Sequence, residues 1–233
     1  MKKTLLILII LCFNQIFSQH HYTDLKYVEI KSSYLNGTFG YPDSEKFELI
    51  NNDCTELNNC YNYDDPLVHI GKWKLENEKC IEFYYTESPS DDPTFVCVYD
   101  NEIILEESGT TFHFKENKTA YIEGNANSYF DKKRKFKFKN NIFTEIIQPF
   151  YYIGMKGKLN FPIKLYETES FKNKVVVLPK DYEIEIILGK TGGKYNDLEK
   201  ILIKSEFGLI GWFNFKEVAF GKPIIDELYY HGD

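Results

Sequence analysis

Arginine is almost absent from this 233-residue chain: Arg134 is the single guanidinium among 28 basic residues. No arginine cluster can therefore form for bidentate capture of phosphate or carboxylate. A basic excess is also missing. The 35 acidic residues leave a formal charge of −7, which argues against general nucleic-acid binding, because that requires a basic footprint. Beyond an N-terminal run at 5–13, no apolar stretch approaches the length of a membrane-crossing helix, so the chain is not expected to span a membrane. Cys-x-x-Cys is absent, and the five histidines are scattered outside ligand spacing, so no metal or cofactor is expected. There is no Gly-x-Ser-x-Gly and no unpaired cysteine with a histidine partner. Carboxylates are plentiful, but nothing singles out a glycosidase-like pair, so no catalytic residue is assigned. "GKTGGK" at 189–194 lacks the earlier glycine and following helix of a phosphate loop and is expected to be a hairpin loop.

What is present begins with "MKKTLLILIILCFNQIFSQ". Two lysines precede a short apolar run, and Ser18 is a small residue suited to the position before a cut. This predicts a signal peptide over 1–18 and a periplasmic or secreted product. Loss of Lys2 and Lys3 would take the formal charge from −7 to −9. Four cysteines remain: Cys54, Cys60, Cys80 and Cys97. An even number in an oxidising compartment predicts two disulfides out of three pairings. Cys80–Cys97 is favoured, because "KCIEFYYT" and "TFVCVYD" form the two arms of a hairpin turning in "SPSDDP". Cys54–Cys60 would then staple the Asn-rich loop at 51–65.

Helix signals are scarce, whereas strand signals recur from residue 26 to 154. The fold class is mostly β: an N-terminal antiparallel meander over 19–156, closed as a barrel or sandwich, then a second domain over 157–220. The tail at 221–233 is apolar enough to dock. In "KFKFK", Phe136 and Phe138 share one face and three lysines the other. The basic patch of Lys132, Lys133, Arg134, Lys135, Lys137 and Lys139 could bind an anionic surface. The plainer reading is a solvated strand face that protects an edge.

The ending carries a resemblance. "PIKLYETESFKNKVVVLPKDYEIEII" followed by "KILIKSEFGLIGWFNF" resembles a bacterial SH3 (SH3b) domain over about 161–220. The resemblance implies a small barrel with Ile163 and Leu165 inward and Tyr166 at a groove. It places Gly208 at a tight turn and Gly211 at a close approach beside Trp212. It also implies a ligand groove of Tyr166, Phe171 and Trp212. A second tryptophan common in that family is replaced here by Lys200. The expected function is a non-catalytic envelope protein whose partner is a wall peptide, a glycan or an envelope protein. Two other functions are carried: a carboxylate hydrolase targeted by the SH3-like part, and a periplasmic inhibitor or immunity-type protein. A deep polar pocket in the first domain would mark the enzyme.

Overall fold

The computed structural model describes residues 22–31, 36–54, 67–87, 92–125, 127–192, 197–218 and 222–232. The expected signal peptide, Cys60 and most of the Asn-rich loop lie outside them. The mostly β expectation holds, and the strands form three sheets.

The first sheet has the order β1-β2-β8-β9-β10-β11. Its strands are β1 (Leu25–Lys31), β2 (Asn36–Pro42), β8 (Thr111–Phe114), β9 (Thr119–Gly124), β10 (Lys132–Lys139) and β11 (Ile142–Glu145). The second is a plain meander of β3 (Phe47–Cys54), β4 (Leu67–Lys74), β5 (Cys80–Glu87), β6 (Pro93–Tyr99) and β7 (Glu102–Ser108). The chain leaves the first sheet after β2, builds the whole second sheet, and returns as β8 parallel to β2, with Thr38 opposite Thr111. One core lies between the two sheets and is filled by rings. Phe39 stacks on Phe112 at 5.3 Å, Phe83 packs on Phe114 at 4.9 Å, and Trp73 meets Phe114 edge-on at 5.3 Å. Each such side chain contributes about 1.5–3 kcal/mol by leaving water, which explains the aromatic-rich composition without a ligand. Phe136 and Phe138 point into this core as their alternation requires.

β5 and β6 form the expected hairpin, but its register overturns the favoured disulfide. Glu87 pairs with Pro93 and Phe83 with Cys97. Cys97 is therefore buried on the core face beside Phe83. Cys80, three residues from Phe83, projects from the opposite face. Both are free thiols. Of Cys54 only the backbone is described.

The third sheet has the order β12-β15-β16-β17-β13-β14. Its strands are β12 (Tyr151–Lys158), β13 (Ile163–Tyr166), β14 (Lys174–Leu178), β15 (Glu183–Gly192), β16 (Asp197–Ser205) and β17 (Ile210–Asn214). β12 pairs with β15, so this unit takes in residues ahead of 157. "NIFTEIIQPFYYIG" is broken near Pro149 into β11 and β12, which belong to different sheets. Pro149 lacks the N–H that a continuous ladder would need. After β17 a 3-10 turn, Phe215–Glu217, is capped by the Asn214 side chain accepting from the Lys216 N–H. The tail docks, burying Ile224, Ile225 and Leu228 in the second core. "GKT" at 189–191 is strand, not a phosphate loop.

Candidate ligand-binding face

Strand alternation sets the outer face of the third sheet. Ile201, Ile203 and Phe213 are buried inward, so Lys200, Leu202 and Trp212 point outward. Register then brings the outward residues together. Trp212 lies opposite both Leu202 and Tyr166, and Lys200 lies opposite Lys190. Phe171 comes from the loop between β13 and β14. A turn closed by the Phe171 N–H donating to the Thr168 carbonyl (2.9 Å) holds it there, at φ 59°. That left-handed conformation costs a non-glycine residue about 1 kcal/mol, offset here by its contact with Tyr166 at 5.8 Å between ring centroids. Phe150, just ahead of β12, packs on Trp212 at 5.7 Å.

Two ammonium groups complete the face. Lys190 Nζ lies 5.7 Å from the Phe150 ring and donates to Glu169 Oε2 at 3.0 Å. That hydrogen bond holds the Glu169 carboxyl below the usual carboxylate range. Lys200 Nζ lies 5.4 Å from the Phe171 ring centroid. All six residues are half-buried. Among the described residues, the Lys200 ammonium, the Trp212 indole N–H and the Tyr166 hydroxyl make no hydrogen bond or ion pair. The face therefore offers apolar area together with free donors.

Tyr166, Phe171 and Trp212, named from sequence, share this face. Phe150, Lys190 and Lys200 were not named as site residues. Phe150 falls before the expected boundary at 157, Lys190 falls in the expected hairpin loop, and only Lys200 carries a signal, as a departure from a resemblance.

The basic patch does not form one surface. Lys132 and Arg134 share the inward parity of Phe136. Arg134 donates to Glu107 of the opposing sheet at 2.5 Å and to the Ser108 carbonyl at 2.9 Å. Burial holds Lys132 below the usual lysine range, with its Nζ 4.6 Å from the Tyr151 ring. Outward, Lys133 pairs with Glu123, Lys135 approaches the Tyr121 ring, and Lys137 donates to the Asn117 carbonyl. Lys139 is exposed at the end of the strand. Nor does the patch protect an edge, since β10 lies between β9 and β11.

His113 is buried, with Nε2 3.1 Å from Glu123 and Nδ1 3.3 Å from the Tyr27 hydroxyl. Burial raises the Tyr27 phenol above its ordinary range and moves Tyr22, whose ring covers His113, up to about 12. The cluster ties β8 to β9 and β1 through His113. A cleft of about 700 Å³ opens on the third sheet between charged side chains including Lys156, Asp181, Glu183 and Lys204. A smaller one, about 250 Å³, lies by Gly37 and Thr110. Among the described residues no cluster of three candidate metal ligands occurs, and no helix is long and apolar enough to cross a membrane. No protein-family model, curated protein or solved structure matches the chain.

Proposed function

We propose that the chain is an exported, non-catalytic binding protein of the bacterial envelope. Its C-terminal part is read as an SH3-like domain over about 161–220. The face of Tyr166, Phe171 and Trp212 would hold a wall peptide, a glycan or an envelope protein. The observation that carries this reading is that face: four half-buried rings and two lysines gathered from β13, β15, β16, β17 and two loops. A face that merely closed a core would have little use for free donors beside its rings. The order of parts also supports the reading: a meander of β15, β16 and β17, a short 3-10 turn, and β13 set against β17. The enzyme reading needs a deep polar pocket in the first unit; the cleft by Gly37 and Thr110 there is about 250 Å³, and it lies outside the ring-filled core.

The chain's two tryptophans make the test direct. Trp73 is buried in the first core, so fluorescence changes on ligand addition report on Trp212. Titration with soluble peptidoglycan fragments should give a saturable change. Trp212→Ala, which removes the fluorescent reporter and is followed by calorimetry instead, should weaken binding by about 30-fold, the usual loss for a central aromatic anchor. Absence of binding to fragments, intact wall or envelope extract, at low and high salt, would overturn the proposal.

A further inference from the structure

Lys200 stands apart from the other charged groups of the face. Its neighbouring carboxylates are already engaged. Glu169 accepts from Lys190 at 3.0 Å, and Glu199 is held by Lys216 at 2.6 Å. Lys200 has no ion-pair partner among the described residues, and its ammonium stands over Phe171 in the row of rings. The groups left without a partner are all able to donate: an ammonium, an indole N–H and a phenol. Ammonium and indole N–H cannot accept a hydrogen bond, so an occupant must bring acceptors. Glu169 and Glu199 both feel the Lys200 charge, but neither bonds to its ammonium; an incoming carboxylate can accept from the free donors directly. On a chain of net charge −7, such a local positive spot also directs an anionic ligand to this face rather than elsewhere.

We propose that the occupant of this face is an acidic peptide segment. One carboxylate would lie against Lys200, and its backbone and stems would rest on Trp212 and Tyr166. Lys190 is the lesser contributor, since Glu169 already neutralises it. The inference rests on the binding-face reading above and deepens it from a site to a ligand class.

The test compares two probes on the full chain: an acetylated, amidated alanine–glutamate hexapeptide and its alanine–glutamine counterpart. An uncharged chitin oligosaccharide forms a third arm. The acidic peptide should bind about fivefold more tightly than the neutral one at low salt, the scale of one partly exposed ion pair. The preference should shrink at about 1 M salt, where the screening length is ~3 Å. Lys200→Gln should abolish the preference and Lys200→Arg should retain it. Trp212→Ala should weaken both peptides. Near-ultraviolet circular dichroism checks that each variant is folded.

Equal binding of the two peptides, a preference that survives Lys200→Gln, or tighter binding of the oligosaccharide overturns the acidic-peptide inference. If isolated wall binds through Trp212 while neither peptide does, the inference falls and the binding-face reading stands. If nothing binds, both fall.

Discussion

Gly208 and Gly211 lie three residues apart, yet they should fail for different reasons when substituted. At Gly211 a side chain meets the neighbouring strand. A Cβ built there would stand 2.8 Å from Leu165 Cβ and 3.1 Å from the Tyr166 carbonyl oxygen. Carbon atoms prefer about 3.5–4.0 Å, so β17 would have to move away from β13 by roughly 1 Å. Overpacking of this kind costs about 1–3 kcal/mol. Strand propensity alone makes the opposite forecast, because glycine is among the poorest strand residues. The sign of the effect therefore decides between the two causes. At Gly208 nothing lies within 4 Å of the built Cβ, but φ is +90°. The turn is closed by the Gly208 N–H donating to the Ser205 carbonyl at 2.8 Å and by the Leu209 N–H donating to Ser205 Oγ at 3.0 Å. There the cost is conformational, about 1 kcal/mol for alanine, and less for asparagine, which tolerates positive φ. In a unit of this size, 1 kcal/mol corresponds to a melting shift of about 4–8 °C. Gly211→Ala should thus lower the Trp212-reported melting temperature by about 10 °C and Gly208→Ala by about 5 °C, with Gly208→Asn nearer wild type. A Gly211→Ala protein as stable as wild type, or a Gly208→Asn protein as damaged as Gly211→Ala, would refute the assignment of the two roles.

Peptide mapping without reductant should find no Cys80–Cys97 crosslink, and native Cys97 should resist alkylation because burial raises its thiol well above the ordinary range; recovery of that crosslinked peptide would refute the Phe83–Cys97 register. Arg134→Lys should cost about 1 kcal/mol in urea unfolding, because a lysine cannot reach both Glu107 and the Ser108 carbonyl from that position and the pair is partly exposed; a neutral result would show that the contact between the sheets adds nothing. Burial pushes the Glu123 carboxyl upward, but hydrogen bonds from His113 and Lys133 bring it below its ordinary 4.5. A carboxyl lowered on folding binds its proton more weakly in the native state, so its stabilisation is present above about pH 4.5 and lost as pH falls through the folded value. Glu123→Gln should therefore destabilise at pH 7, with the difference from wild type narrowing in acid; a difference that does not change with pH would refute this.

Most strands were legible because their faces alternate. β9 and β10 announce themselves in "TAYIEG" and "KFKFK", where one side must be wet and the other dry. β2 carries no strand signal of its own, for a physical reason. "NGTFGYP" has the composition of a turn, but it lies between β1 and β8, and that interior position overrides local preference. β3 was hidden in part because its second half, Asn51 to Asp53, carries loop-like residues. The hairpin of β5 and β6 was visible, but its register was not. Two cysteines seemed to fix the turn, whereas the actual pairing places it further along. A period of two makes the difference of three residues decisive, because it puts Cys80 and Cys97 on opposite faces. The parallel pairing of β2 with β8 had no sequence signal, since strands distant in the chain carry no mark of who their neighbour is.

The binding face divides along the same line. Its rings were nameable where a local pattern existed, as with Trp212 beside Gly211. Its cations were not, because Lys190 meets Lys200 only through the register of β15 with β16. This changes how Lys200 should be weighed. As a sequence position it counts as a missing tryptophan and therefore a weakened site. In the fold its stem lies along the outer face and its ammonium reaches a ring, so the position still contributes contact area through the alkyl chain. What it adds is an ammonium that no neighbouring carboxylate accepts from, although Glu169 and Glu199 lie close enough to feel its charge. Restoring the ring with Lys200→Trp should then keep or strengthen binding of a neutral peptide while erasing the preference for an acidic one. If Lys200→Trp instead strengthens binding of the acidic peptide as well, ring area rather than charge governs the face.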